Sequence, residues 1–211
     1  MSASEQQSDV PVVGDTVVVN YFLAVGQIRL LAQLCGGKIY IPRSVFDPDE
    51  AEDSPEEALS ELRRGLHLHR RRTSEASAEP GATRSRLALP HFEKLPQLAR
   101  GPIRVVDLTN AELLEFSRLR DPQTAAQYGL LGPLGAGEAA VLAIAGERDW
   151  TIATDDQDAI RVAKQLMPNV KPQRIRSLLR KAADMGLVPL DGAREIHRAM
   201  KTAGFWDKGR L

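Results

Sequence analysis

The chain has 211 residues, a formal net charge of zero from 28 basic and 28 acidic side chains, 43% hydrophobic and 27% charged residues, and one cysteine. This is an ordinary globular composition, long enough to bury a core, and its charge balance excludes a global field for nucleic acid, so any such contact must come from local patches. Cys35 stands alone, which excludes an internal disulfide and a cysteine-rich zinc site. Its apolar neighbours predict a buried thiol. No apolar stretch approaches the roughly 20 residues that cross a bilayer. The polar start MSASEQQSDV is not a secretory signal, so no membrane partner and cytoplasmic residence are expected.

Residues 1–10 read as a disordered tail. Val12, Val13, Val17, Val18 and Val19 surround Gly14-Asp15-Thr16, a β-branched cluster that predicts a buried parallel strand. Apolar residues then recur at helical spacing from Tyr21 to Leu34, and Gly36-Gly37 supplies the helix end. Lys38 to Pro42 reads as a second strand, so the opening is β-α-β with a right-handed crossover. Residues 47–61 are rich in acids and are followed by Arg63, Arg64, Arg70, Arg71 and Arg72. They predict at most a polar helix over 47–66 and a mobile excursion over 67–86, with structure returning near Leu87.

Ile103 to Leu108 reads as a strand leading into a helix, with Thr109 or Asn110 as its cap and Glu112 in its first turn. Gly135-Ala136-Gly137-Glu138 opens an apolar helix over 139–145. Trp150 to Thr154 is a strand, and Asp155-Asp156-Gln157-Asp158 starts a helix that runs through Leu166. A short extended segment lies near Val170. Then come a helix over 174–183 closed by Gly186, an edge strand over 187–190, and a final helix before Gly204-Phe205-Trp206. No tandem repeat is present. The alternation predicts an α/β fold with a mostly parallel sheet, as one domain over 11–207 with a polar insertion at about 51–99.

Ligands of such sheets sit beyond the carboxyl ends of the strands, and several acids occupy positions of that kind. Asp155 and Asp156 follow a strand, Asp107 ends one, and Glu138 opens a helix behind two glycines. Asp155, Asp156, Asp158 and Glu138 also suit plain capping and first-turn roles, which the helix dipole favours. Asp15 is harder to explain so, because a lone charge inside an apolar run is costly to bury. The acids of 47–61 suit a solvated face. Carboxylates drawn together repel unless a cation holds them. Oxygen ligands favour Mg²⁺ or Mn²⁺ over zinc, and such ions activate water at a phosphodiester. His67, His69, His91 and His197 form no zinc pattern, and no P-loop, GxGxxG or GxSxG motif occurs.

The order of these motifs resembles the PIN-domain family. Asp15-Thr16-Val17-Val18-Val19-Asn20 resembles the first strand end of that family. Gly137-Glu138-Ala139-Ala140-Val141-Leu142-Ala143 resembles the Gly-Glu helix start of its toxin-like, VapC-like branch. Ala153-Thr154-Asp155-Asp156 resembles its late Thr-x-Asp element, with Arg161-Val162-Ala163 downstream. Leu178-Leu179-Arg180-Lys181-Ala182, Gly186-Leu187-Val188 and Gly204-Phe205-Trp206 resemble its tail, so that the likeness covers residues 11–50 and 100–207.

The resemblance implies a three-layer α/β/α fold and a Mg²⁺- or Mn²⁺-dependent ribonuclease acting on single-stranded RNA, as in toxins of toxin–antitoxin pairs. It implies Asp15, Glu138 and Asp156 as catalytic metal ligands, Asp155 and Asp158 as further acids of the centre, and Asn20 and Thr154 as orienting residues. The chain departs from the pattern where an acid is expected after the second strand. Pro48 stands there, and Asp47, Asp49 and Glu50 are the neighbours that can substitute, of which Asp47 is the choice. RNA, an antitoxin protein and a second copy of the chain are the partners implied. The arginines of the insertion either grip phosphates or solvate a loop. The displaced acid motivates the alternative of a catalytically degenerate PIN-like domain that binds RNA or protein. A phosphatase or receiver-like domain is disfavoured, because no second aspartate lies two residues after Asp15 and no acidic pair precedes that strand.

Overall fold

The computed structural model describes residues 10–46, 95–206, 209 and 211. The expected tail up to residue 9, the acidic run, the arginine-rich excursion and Asp47 therefore lie outside the described residues. In chain order the elements are β1 (Val12–Gly14), α1 (Thr16–Ala24), α2 (Ile28–Leu34), β2 (Ile39–Pro42), α3 (Leu95–Ala99), β3 (Ile103–Val106), α4 (Asn110–Leu119), α5 (Pro122–Gln127), α6 (Ala136–Arg148), β4 (Thr151–Ala153), α7 (Gln157–Leu166), α8 (Ile175–Asp184) and α9 (Leu190–Thr202).

The four strands form one parallel sheet in the order β3-β2-β1-β4. Strand side chains alternate between faces, and here they feed two separate cores. Val12, Ile39, Ile41, Ile103 and Ala153 join a core completed by α1, α2, α8 and α9. Val13 and Ile152 point the other way, into a core built from α4, α5, α6 and α7. The result is the expected three-layer α/β/α arrangement. Both faces are covered, as a parallel sheet requires.

Three expectations are corrected. Val17, Val18 and Val19 are helical, because α1 begins at Thr16. The Asp15 carboxylate caps the Val18 N–H at 2.8 Å, and this cap together with burial of Val18 and Val19 overrides their β-branched strand preference. The single helix expected from Tyr21 to Leu34 is two helices, broken at Gly26 with φ of 71°. Residues 187–190 form no strand. Gly186 ends α8 with φ of 69°, the Leu187 N–H turns back to the Ala182 carbonyl at 2.9 Å, and Pro189 is already the N-cap of α9.

Other expectations hold. Cys35 is buried and forms no disulfide. Thr109 caps α4 with a full capping box to Glu112. That glutamate also has a role no spacing predicted. Its side chain is only 1% exposed and takes Arg148 Nε at 2.5 Å and Nη2 at 2.8 Å. Arg148 Nη2 also donates to the Asp107 carbonyl at 2.9 Å. The pair ties the start of α4 to the end of α6, and Arg148 holds the Glu112 carboxyl below its usual range. Arg148→Met is expected to strand a buried carboxylate and lower unfolding stability by about 3 kcal/mol in urea titration. Adding Glu112→Gln should restore part of that loss. A single variant as stable as the parent would mean that the pair does not brace the fold.

Candidate active site

The register of β1 against β4 sets the site. Gly14 lies opposite Ala153, and the Asp15 N–H continues the ladder to the Ala153 carbonyl at 3.0 Å. The next residues, Asp15 and Thr154, therefore emerge side by side at the carboxyl end of the sheet, where parallel sheets place their ligands. Asp15 has no solvent exposure. One carboxyl oxygen accepts from Val18 N–H at 2.8 Å, and the other accepts from the Thr154 hydroxyl. The Thr154 oxygen in turn accepts from Asp156 N–H at 3.1 Å, which directs its proton towards Asp15. Burial pushes the Asp15 carboxyl up to about 8. The bonds from Thr154 and Val18 pull it down, while the charges of Glu138 and Asp155 push it further up. The charges of two acids from other segments thus bear on Asp15 here.

The remaining candidates are each engaged locally. Asp156 is the N-cap of α7, and its Oδ1 accepts from Ala159 N–H at 2.8 Å. Asp155 accepts from Arg174 Nε at 2.9 Å and from Ile175 N–H at 2.6 Å. Glu138 occupies the third position of α6 and folds back over its N-cap, so that its Oε2 lies where a Cβ on Gly135 would stand. A Cβ at that position would push the carboxylate aside. Asp158 is half exposed and faces Arg161 at 3.6 Å. Asn20 is half-buried on α1, and among the described residues no hydrogen bond joins it to Asp15 or Thr154. Asp107, the other acid at a strand end, pairs with Arg43 at 2.6 Å and is held below the usual carboxylate range by it.

One strand edge explains the Asp155 contacts. Gln173 bridges Ala153 in parallel: its N–H reaches the Ile152 carbonyl at 2.8 Å, and its own carbonyl accepts from Thr154 N–H at 3.0 Å. The extended segment expected near Val170 is therefore met at Gln173, and it delivers Arg174 to Asp155. Arg174 was not foreseen, because nothing in the spacing links it to an acid 19 residues earlier. Its side chain is 41% exposed against 7% for Asp155, so its outer edge faces solvent.

A family comparison bears on this arrangement. Residues 96–211 match the family model DUF3368, described as a PIN domain. This chain belongs to the PIN-domain family. No curated protein and no solved structure matches it. PIN domains are generally nucleases that use divalent metals. The match contains Glu138, Thr154 and Asp156, whereas β1 and Asp15 precede it. The sheet unites the two parts by seating β1 between β2 and β4. No helix among the described residues is long and apolar enough to cross a membrane.

The donor chemistry of this PIN domain suits a hard divalent cation, being carboxylate and hydroxyl oxygen. The raised Asp15 carboxyl, with two further acids acting on it, is the group that a nearby cation would most readily ionise. Among the described residues, no group of three or more His, Cys, Asp and Glu side chains is gathered closely enough to hold a metal.

Asp15 makes the protein's stability depend on pH. Its folded carboxyl keeps a proton up to about 8, against 3.8 for the ordinary group. The folded state therefore binds more protons in that window, and stability falls as pH rises through it. In EDTA, urea unfolding is expected to show lower stability at high pH than at low pH within the window, by on the order of a few kcal/mol at about 1.4 kcal/mol per pKa unit. Asp15→Asn should remove most of this slope. An unchanged slope in the variant would exclude Asp15 as its source.

Proposed function

We propose that this PIN domain is a Mg²⁺- or Mn²⁺-dependent endoribonuclease that cleaves single-stranded RNA. The observation that carries the reading is Asp15: a fully buried carboxyl at a strand end, oriented by Thr154 and facing the charges of Glu138 and Asp155. Nothing structural requires an acid at that point, and neutral residues would cap α1 at no comparable cost. Asp15, Glu138 and Asp156 would hold the cation, with Asp158 at the rim and Asp47 as the acid expected after β2. A bound cation supplies charge neutralisation and water activation at the phosphodiester.

The chain's own residues do the positioning. Thr154 orients Asp15 through its hydroxyl, which couples the ends of β1 and β4, and its oxygen also accepts from Asp156 N–H. Asp155 holds Arg174, whose solvent-facing edge is suited to a phosphate oxygen. Asp155 then acts as a clamp on that arginine more than as a ligand. The toxin-like resemblance adds an antitoxin protein and a homodimer as proposed partners, and the cytoplasm as the proposed location.

A second reading is a degenerate domain that binds RNA or protein without cutting. It is favoured by the local engagement of Asp155 with Arg174 and of Glu138 with its own helix start.

Metal titration separates the two readings. Mn²⁺ at about 100 times its Kd should stabilise the nuclease by about 2.7 kcal/mol, and Asp15→Asn should abolish that gain. Thr154→Val is expected to lower metal affinity or cleavage by about 10–100-fold. Absence of both Mn²⁺ stabilisation and Mn²⁺-dependent cleavage of single-stranded RNA would overturn the nuclease reading and leave the binding one.

A further inference from the structure

The carboxyl edge of the sheet carries a second acid-held arginine, beyond β2. Val13 pairs with Tyr40, so Asp15 stands level with Pro42, and Arg43 follows it. The Arg43 N–H extends the ladder between β2 and β3 to the Val106 carbonyl at 3.0 Å, which sets Arg43 beside Asp107. Asp107 accepts from Arg43 Nε at 2.6 Å and from Nη2 at 3.3 Å. On the other side of β1, Thr154 stands beside Asp15, and its N–H reaches the Gln173 carbonyl at 3.0 Å, with Arg174 next in the chain. Along the edge the order is therefore Asp107, Arg43, Asp15, Thr154, Arg174. From β2 to the Gln173 segment is three strand spacings, roughly 14 Å, and Asp15 lies within that span.

The Arg43 pair has a support that a plain surface ion pair lacks. Arg148 Nη2 donates to the Asp107 carbonyl at 2.9 Å and is itself held by the buried Glu112. Glu112 Oε2 also accepts from Thr109 N–H at 2.7 Å. The carboxylate that orients Arg43 thus sits on backbone fixed by a buried ion pair. An exposed pair of this kind adds little stability. A braced one sets the direction of a guanidinium, which is what recognition of a planar anion requires. Arg43 keeps 44% of its side chain exposed.

The rest of this edge is acidic, with Asp15, Asp155 and Asp156 beyond the same strands. A polyanion is repelled there unless fixed cations stand on its path. We infer that Arg43 is a substrate-binding residue that takes a backbone phosphate on the β2 side of Asp15, with Arg174 as its counterpart on the β4 side, and that Asp107 is its positioning residue. The substrate backbone then crosses the strand ends from β2 to β4 and passes over Asp15. This assignment rests on the nuclease reading proposed above, and adds to it the path of the substrate and the residue that fixes its β2 side.

The test is Mn²⁺-dependent cleavage of a fluorescein-labelled single-stranded RNA of mixed sequence, with anisotropy of the same RNA in EDTA across a range of salt. Far-UV circular dichroism checks the fold of each variant. Arg43→Gln is expected to raise KM at least about five-fold with kcat within about two-fold, and to flatten the salt slope of binding by about 0.7. Arg43→Lys should keep the slope and recover part of the KM. Asp107→Asn should raise KM by a smaller factor, and the double variant Asp107→Asn, Arg43→Gln should be no worse than Arg43→Gln alone, because Asp107 acts through the arginine. Cleavage with KM and slope unchanged in Arg43→Gln would overturn the inference and leave the nuclease reading standing. So would a fall in kcat at constant KM, or effects of the two residues that simply add. If the parent binds RNA in EDTA and Arg43→Gln weakens that binding and flattens its slope, yet no cleavage occurs, the phosphate contact stands and the nuclease reading fails. Neither binding nor cleavage by the parent would overturn both.

Discussion

A carboxyl group with no solvent contact ends the central strand of this protein, and much of the candidate active site follows from that constraint. Burial of an ionised aspartate is too costly to persist without compensation. Asp15 meets the cost by accepting from Val18 N–H and the Thr154 hydroxyl and by favouring its protonated form. Each contact has a second effect. The bond from Val18 starts α1 immediately after β1 and turns three valines into helix. The bond from Thr154 joins β1 to β4 beyond the last paired residues and draws Asp156 N–H into the same network.

Each of the other acids around it has local contacts of its own. Arg174 and a backbone N–H satisfy Asp155, a helix N-terminus satisfies Asp156, and Glu138 leans over Gly135. These local partners keep like charges apart at modest cost. They also leave Asp15 as the group whose ionisation is most opposed, so proton loss from Asp15 and cation entry are linked in sign: each favours the other. Arg174 stands at this balance as a fixed positive charge with an exposed edge.

The family match and the sheet contribute different halves. The match spans α3 to the end of the chain, beginning at residue 96, and carries the Glu138, Thr154 and Asp156 elements. The segment before it supplies β1, α1, α2 and β2, with Asp15 among them. Parallel pairing on both sides of β1 makes the two halves one fold and brings Asp15 to Thr154 across 139 residues of sequence.

The sequence by itself determined the features that depend on near neighbours. Alternating apolar runs declared an α/β fold, Gly36 and Gly186 marked helix ends, Thr109 or Asn110 with Glu112 marked a helix start, and the order of motifs resembled a PIN domain, which nominated Asp15, Glu138 and Asp156. It misjudged Val17, Val18 and Val19 because a valine run carries the strand period in its propensity, while the decisive cap is a single carboxylate one residue upstream. It misjudged Leu187 to Leu190 because a short apolar run between two helices cannot show where its N–H groups are bonded. Only the tertiary structure decided which charges meet. Arg174 with Asp155, Arg148 with Glu112 and Thr154 with Asp15 are joined by strand register and helix packing, and those long-range distances have no counterpart in spacing along the chain.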